Sequence, residues 1–221
     1  MIDRKAKKDA ESTKVVKSTY GAKGSRHHGP VVACHRNPYN AKYFLSIGDW
    51  SAKVWMEDLQ NPILNTRYNS SSLTGGCWSP SRPGVFFTTK ADGTLDVWDL
   101  FYKHNSPCFT TKICEQPLTA ISVQQEGGLI ALGSKDGSAS VVRISQGLSR
   151  QQPGEKQAIA AMFERETRRE KNLDMRLIQR KAREKEKARQ LKDQKPPFDP
   201  AVETTDEETL KLIAEVIIYS C

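Results

Sequence analysis

The residues best equipped for chemistry are two adjacent histidines, His27 and His28, five cysteines at 34, 77, 108, 114 and 221, and three aspartates, Asp49, Asp92 and Asp136. Paired imidazoles can ligate a metal ion, a thiol beside a base can act as a nucleophile, and carboxylates can trade protons. The spacings argue against each use. Adjacent side chains on a strand point to opposite faces, so the expectation is a structural His27 with His28 exposed. The cysteines form no C-x-x-C pair and no zinc spacing, and read as small buried hydrophobes in a reducing, intracellular compartment. No G-x-S-x-G elbow and no phosphate-binding loop occurs. The expected protein is therefore not an enzyme, with no catalytic, cofactor-binding or metal-binding residues.

The aspartates belong to turns. Gly93 after Asp92 accepts the positive φ of a two-residue turn, and it lies between VFFTTK (Val85 to Lys90) and TLDVW (Thr94 to Trp98), which have strand composition and alternation. The same hairpin recurs in SIGDWSAKVWMED (Ser46 to Asp58) and SKDGSASVVRI (Ser134 to Ile144). Asp49, Asp92 and Asp136 stand six residues before Trp55, Trp98 and Val142, and follow one another at intervals of 43 and 44 residues. Cys34, Cys77 and Ile121 repeat the same steps. Such a period marks a four-stranded propeller blade. The units run over about 27–62, 73–107 and 118–147. Stretches Thr13 to Tyr20, Ile63 to Tyr68 and Cys108 to Ile113 read as outermost strands, and no fourth strand follows the third unit.

VWDL (Val97 to Leu100), the looser VWMED (Val54 to Asp58) and a histidine at His27 resemble the WD-repeat family. The resemblance implies structural blade positions at His27, Asp49, Trp55, Asp92, Trp98 and Asp136, with His27, Asp49 and Trp55 in one hydrogen-bonded network. A ring of typically seven such blades needs on the order of 300 residues. The repeat region here supplies about 130, so an all-β propeller portion of about three blades, an incomplete ring, is expected over 13–150. GDWSAKVWMEDLQNPIL, CWSPSRPGVFFTTKADGTLDVWDL and LIALGSKDGSASVVRIS resemble, more narrowly, the carboxyl-terminal repeats of the dynein intermediate chains, most of all the axonemal outer-arm members. That resemblance implies a non-catalytic scaffold of a ciliary motor, in the cytoplasm and the axoneme, with a dynein heavy chain and a second intermediate chain as partners. Light-chain binding belongs in that family to an amino-terminal extension not found in this sequence, and is not expected. Two rival classes share the pattern: a scaffold for RNA-binding or ribosome assembly, and an enzyme adaptor.

The 221 residues carry a formal charge of +8, unevenly spread. Residues 1–29 hold eight bases against three acids, 155–195 fourteen against eight, and 196–221 one against six, whereas 30–154 are nearly balanced. A neutral blade region argues against a nucleic-acid surface. No stretch approaches a membrane span or a secretory signal. Residues 1–12 read as a disordered basic terminus. A charged helix is expected over 155–194, with ion pairs Glu164–Arg168 and Glu186–Arg189 at helical spacing. Its early patch, Ile159, Met162 and Phe163, is expected to dock on the blades, and together with Arg180 and Arg183 forms the candidate partner contact. Leu177 to Arg189 partly resembles a calmodulin-binding motif through Ile178, Gln179 and Arg183, but Glu184 and Ala188 break it, so calmodulin is not expected. Residues 195–221 read as a Pro-rich linker and a short amphipathic helix opened by Thr205 to Glu208.

Overall fold

The computed structural model describes residues 20–21 and 24–193, with side chains through Gln190. The expectations for residues 1–12, for Thr13 to Thr19 and for 195–221 lie outside the described residues.

Three antiparallel sheets follow one another along the chain. The first has β1 (Val31–Arg36), β2 (Tyr43–Gly48), β3 (Ser51–Met56) and β4 (Leu64–Asn65) in sequential order. The second has β5 (Leu73–Trp78), β6 (Val85–Lys90), β7 (Thr94–Asp99) and β8 (Phe109–Lys112), also sequential. The third has three strands among the described residues, β9 (Leu118–Val123), β10 (Leu129–Ser134) and β11 (Ala139–Arg143). A one-turn helix α1 (Gln146–Ser149) then leads to α2 (Glu155–Asp193). The three-blade incomplete ring followed by a charged helix matches the expected fold. The outer strands are shorter than their sequence runs: Ile63 to Tyr68 contributes only Leu64–Asn65, and Cys108 to Ile113 only Phe109–Lys112.

Two of the turns differ from expectation. The hairpin over Asp92 uses three residues, Ala91 to Gly93, because Gly93 N–H donates to Lys90 O at 3.2 Å and Gly93 then sits at φ 81°. That is a turn closed by a left-handed glycine, a position at which a side chain would be strained and would meet Cys114 O at 2.0 Å. Gly137 repeats it at φ 87°. The first hairpin turns over Asp49-Trp50 alone, with Gly48 opposite Ser51 and Asp49 itself at φ 49°. His27 and His28 precede β1 and are not on a strand, so the alternation argument does not describe them.

The second sheet is buried on both faces. Successive residues of β6 point to opposite sides: Phe86 joins Leu45, Ile47, Trp78 and Trp98 in the core facing the first blade, while Val85 and Phe87 join Leu118, Ile130 and Leu132 in the core facing the third. In the flanking blades the openness falls on particular strands: β1, β9 and β11 are largely exposed, whereas β2 and β3 of the first blade are buried almost throughout. Val31, Val32 and Val141 are 53%, 49% and 70% exposed. The same openness overturns the reading of Cys34 as buried, since β1 has no sheet on its far side among the described residues. Cys108 is exposed as well, and Cys77 and Cys114 are half-buried.

Trp98 is packed inside the second blade, with its ring stacked on Phe86 at 5.5 Å and its Nε1–H donating to Thr88 Oγ1 at 3.2 Å. Trp98→Ala removes that ring from a dense core, and a loss of about 3 to 5 kcal/mol of stability is expected. Thermal melting of the variant reads it; an unchanged midpoint with lost partner binding would make Trp98 an interface residue instead.

Candidate functional site

Within each hairpin the turn aspartate caps its own strand. Asp49, Asp92 and Asp136 each accept, through Oδ1, the backbone N–H two residues on: Ser51 at 2.8 Å, Thr94 at 3.0 Å and Ser138 at 2.8 Å. Short side-chain acceptors of this kind lock a turn without help from distant residues.

The first blade adds a longer network. His27 Nε2 lies 2.8 Å from Ser46 Oγ, which also accepts Trp55 Nε1–H at 2.7 Å, and His27 Nδ1 lies 3.4 Å from Asp49 Oδ1. Asp49 Oδ2 accepts the His28 N–H at 2.6 Å. The structure thus brings His27, Asp49 and Trp55 together through a residue, Ser46, that sequence reasoning did not single out. In the second blade Thr88 takes the place of Ser46, bonded to Trp98, but no histidine follows; Lys90 Nζ lies 2.8 Å from Asp96 Oδ2 instead. The third blade has Val142 for the tryptophan and Leu132 at the serine's position, an apolar substitute for the whole network. This arrangement orients the strands and the turn of the first blade. Burial pushes the Cys77 thiol up to about 11, so it stays protonated at neutral pH. Among the described residues no group of three or more His, Cys, Asp and Glu gathers to hold a metal ion, and no helix is long and apolar enough to cross a membrane.

The second built feature joins the blades to α2. Arg82, in the loop before β6, is fully buried, with the carboxylates of Asp99 and Glu155 equally so. Its Nε donates to both Glu155 oxygens at 3.0 Å, and its Nη1 donates to Gly147 O at 3.0 Å. Nη1 also lies 2.7 Å from Asp99 Oδ2, a buried ion pair. Burial by itself would lower the guanidinium's proton affinity, and the two carboxylates more than reverse it. Asp99 is the aspartate of the Trp98-Asp99 dipeptide, so the repeat signature itself reaches the helix. Glu155 sits in the first turn of α2, where negative charge is favoured, and accepts the Gln152 N–H at 2.8 Å.

From that clamp Ile159, Met162, Phe163 and Thr167 present one face at helical spacing, all buried. Phe163 stands 4.7 Å from the Tyr43 ring and 6.4 Å from Trp78, while Ile159 fills the space over Gly84, where a Cβ would meet its Cδ1 at 2.5 Å. The two roles expected of this patch therefore separate. Ile159, Met162 and Phe163 are covered by the blades, which leaves them no surface for a partner. Arg180 and Arg183 are exposed, and Arg180 pairs with Glu184 at 3.3 Å. The expected pairs Glu164–Arg168 and Glu186–Arg189 do not form; Glu166 instead meets Arg165 and Arg169 at 3.1 and 3.2 Å. Helical spacing permits several partners, and exposed pairs are too weak to dictate which one is taken.

Two outcomes follow. Burial lowers the His27 imidazole below its usual 6.5 against the pull of Asp49, so stability is full above about 6.5 and declines as pH drops below it. For Asp49, burial alone would raise the carboxyl, but the His28 N–H, the Ser51 hydroxyl and N–H, and His27 outweigh it and hold the group at about 2. Its contribution is present above 3.8 and lost as pH falls toward 2. Melting temperature against pH should decline in those two windows, His27→Gln flattening the first and Asp49→Asn the second; unaltered profiles would place the titration elsewhere. Separately, Arg82→Met leaves two buried carboxylates without a counterion, at an expected cost of about 3 to 5 kcal/mol. Amide exchange, slowest near Met162 and fast beyond Arg180 in the parent chain, should quicken at Ile159 to Phe163 in the variant. Unchanged exchange there would mean that the apolar face alone holds the helix.

Comparison with known proteins fits this arrangement of blades and helix. A family model described as the dynein axonemal intermediate chain 3 WD40 domain matches residues 1–144. The 70 kDa intermediate chain of the flagellar outer arm dynein of Chlamydomonas reinhardtii is 49% identical over 215 residues, covering 96% of this chain and 35% of the relative. Dynein axonemal intermediate chain 2 is 46% identical in Xenopus laevis, over 89% of this chain and 33% of the relative, and 46% identical in Homo sapiens, over 84% and 30%. The chain spans about a third of the length of these curated relatives. With the family model matching residues 1–144, the chain belongs to the WD-repeat axonemal dynein intermediate chains.

Proposed function

We propose that this chain acts as a non-catalytic scaffold subunit of an outer-arm dynein in the ciliary axoneme, seating its blades against a dynein heavy chain beside a second intermediate chain. One observation carries the reading: the similarity to outer-arm intermediate chains runs past the blades and through the helix, over 96% of the chain. A likeness confined to the blades would fit any WD-repeat scaffold. The site geometry supports the non-catalytic part, because the aspartates and His27 spend their hydrogen bonds on turns and on one another. Supporting the assembly part, β1 of the first blade and β11 of the third leave Val31, Val32 and Val141 in the open.

Affinity purification of the tagged chain from ciliated cells, followed by mass spectrometry, tests this. A dynein heavy chain and a second intermediate chain are the expected companions. Recovery of ribosome-assembly factors or of a ligase complex in their place would overturn the reading in favour of one of the rival scaffolds.

A further inference from the structure

Between the first blade and the amino-terminal half of α2 lies a cleft of about 350 Å³. Two buried hydroxyls line it: Tyr43 and Thr167, 4% and 7% exposed, with their oxygens 3.3 Å apart. One donates to the other. The hydroxyl proton that remains has no acceptor among the described residues, an arrangement that buried polar groups normally avoid. Around the cleft stand three exposed cations, Lys42 from the turn before β2 and Arg168 and Lys171 one helical turn apart on α2. Cations nearby are neutralised, Arg36 by Glu57 and both Arg165 and Arg169 by Glu166. Among the described residues these three form no ion pair, and Glu164, the one acid lining the cleft, does not pair with Arg168.

Taken with Glu164, the cations leave an excess of two positive charges beside a buried O–H donor. That is the complement of a doubly negative oxyanion, which needs charge around it and a directed donor at its base. Gathering three long cationic side chains that form no ion pair among the described residues costs mutual repulsion, so their convergence on a cleft beside a buried O–H donor suits an anionic occupant. We infer that this cleft docks an acidic peptide of a protein partner through a doubly charged group, either a phosphorylated serine or threonine or two neighbouring carboxylates. The inference goes beyond the motor reading and stands without it, since it names a chemistry and not a complex.

The test uses the intact chain and three fluorescein-labelled decapeptides of Gly and Ser carrying one phosphoserine, two adjacent glutamates or neither, followed by anisotropy. Both anionic peptides should bind more tightly than the neutral one. Arg168→Glu with Lys171→Glu should weaken them at least about tenfold, whereas Arg180→Glu with Arg183→Glu, further along the same helix, should change them less than about twofold. Tyr43→Phe keeps the ring and removes the hydroxyl, and should weaken binding about three- to fivefold with the circular dichroism spectrum retained. Preference for phosphoserine assigns a modified partner and preference for the glutamates an unmodified acidic one; either supports the cleft. Equal losses from the two double reversals would show helix-wide attraction only, and equal binding of the neutral peptide would remove the anion altogether; each overturns the proposal.

Discussion

A sheet with apolar residues on both faces tolerates water on neither, and the second blade is such a sheet. Phe86 and Phe87, neighbours in sequence, serve different cores. The first and third blades are what make that possible, and β1 of the one and β9 and β11 of the other are in turn left largely open. Everything else in the arrangement follows from covering the second sheet. Gly76 carries no side chain because a Cβ there would meet Ile47 Cδ1 and Phe87 O at 2.3 Å each. Trp78 reaches across to donate its Nε1–H to His35 O at 3.1 Å, and Asn37 returns a bond to Pro83 O at 3.0 Å. These cross-blade bonds satisfy polar groups at the seam that would otherwise be costly to bury.

The helix completes the same task from below the seam. Its apolar face covers Tyr43, Trp78 and Phe86, residues of both blades, and its first turn supplies the counterion that a buried Arg82 requires. A buried ion pair is not by itself a source of stability, because desolvating three charges is expensive. Its value here is positional. A guanidinium held by Asp99 on one side and Glu155 on the other ties the helix start to the second blade.

Much of this was legible in the residues. The 43- and 44-residue spacing of the aspartates, the turn chemistry around them and the Trp98-Asp99 dipeptide defined the blades, because each depends on interactions within a few residues or one repeat. The docking of Ile159, Met162 and Phe163 could be read from their spacing on one helical face. Arg82 could not: an arginine in a loop looks solvated, and nothing local indicates that Glu155, 73 residues away, will meet it. Ser46 was equally silent, since a small hydroxyl residue on a strand gains its role only when His27 and Trp55 converge on it. Cys34 misled for a related reason. Its repeat position predicts burial, but burial requires a neighbouring sheet that these residues do not provide.

The reach of the Arg82 clamp also sets an order of events during synthesis. Domains fold as the chain emerges, amino-terminal parts first. Arg82 and Asp99 leave the ribosome together, and Glu155 follows only after the whole third blade has been made. Until then a completed second blade carries a desolvating arginine with half its partners and an apolar seam without its lid. A chain interrupted anywhere in the third blade would keep that seam bare, a mark by which quality-control factors that bind exposed apolar surface can tell an unfinished molecule from a finished one.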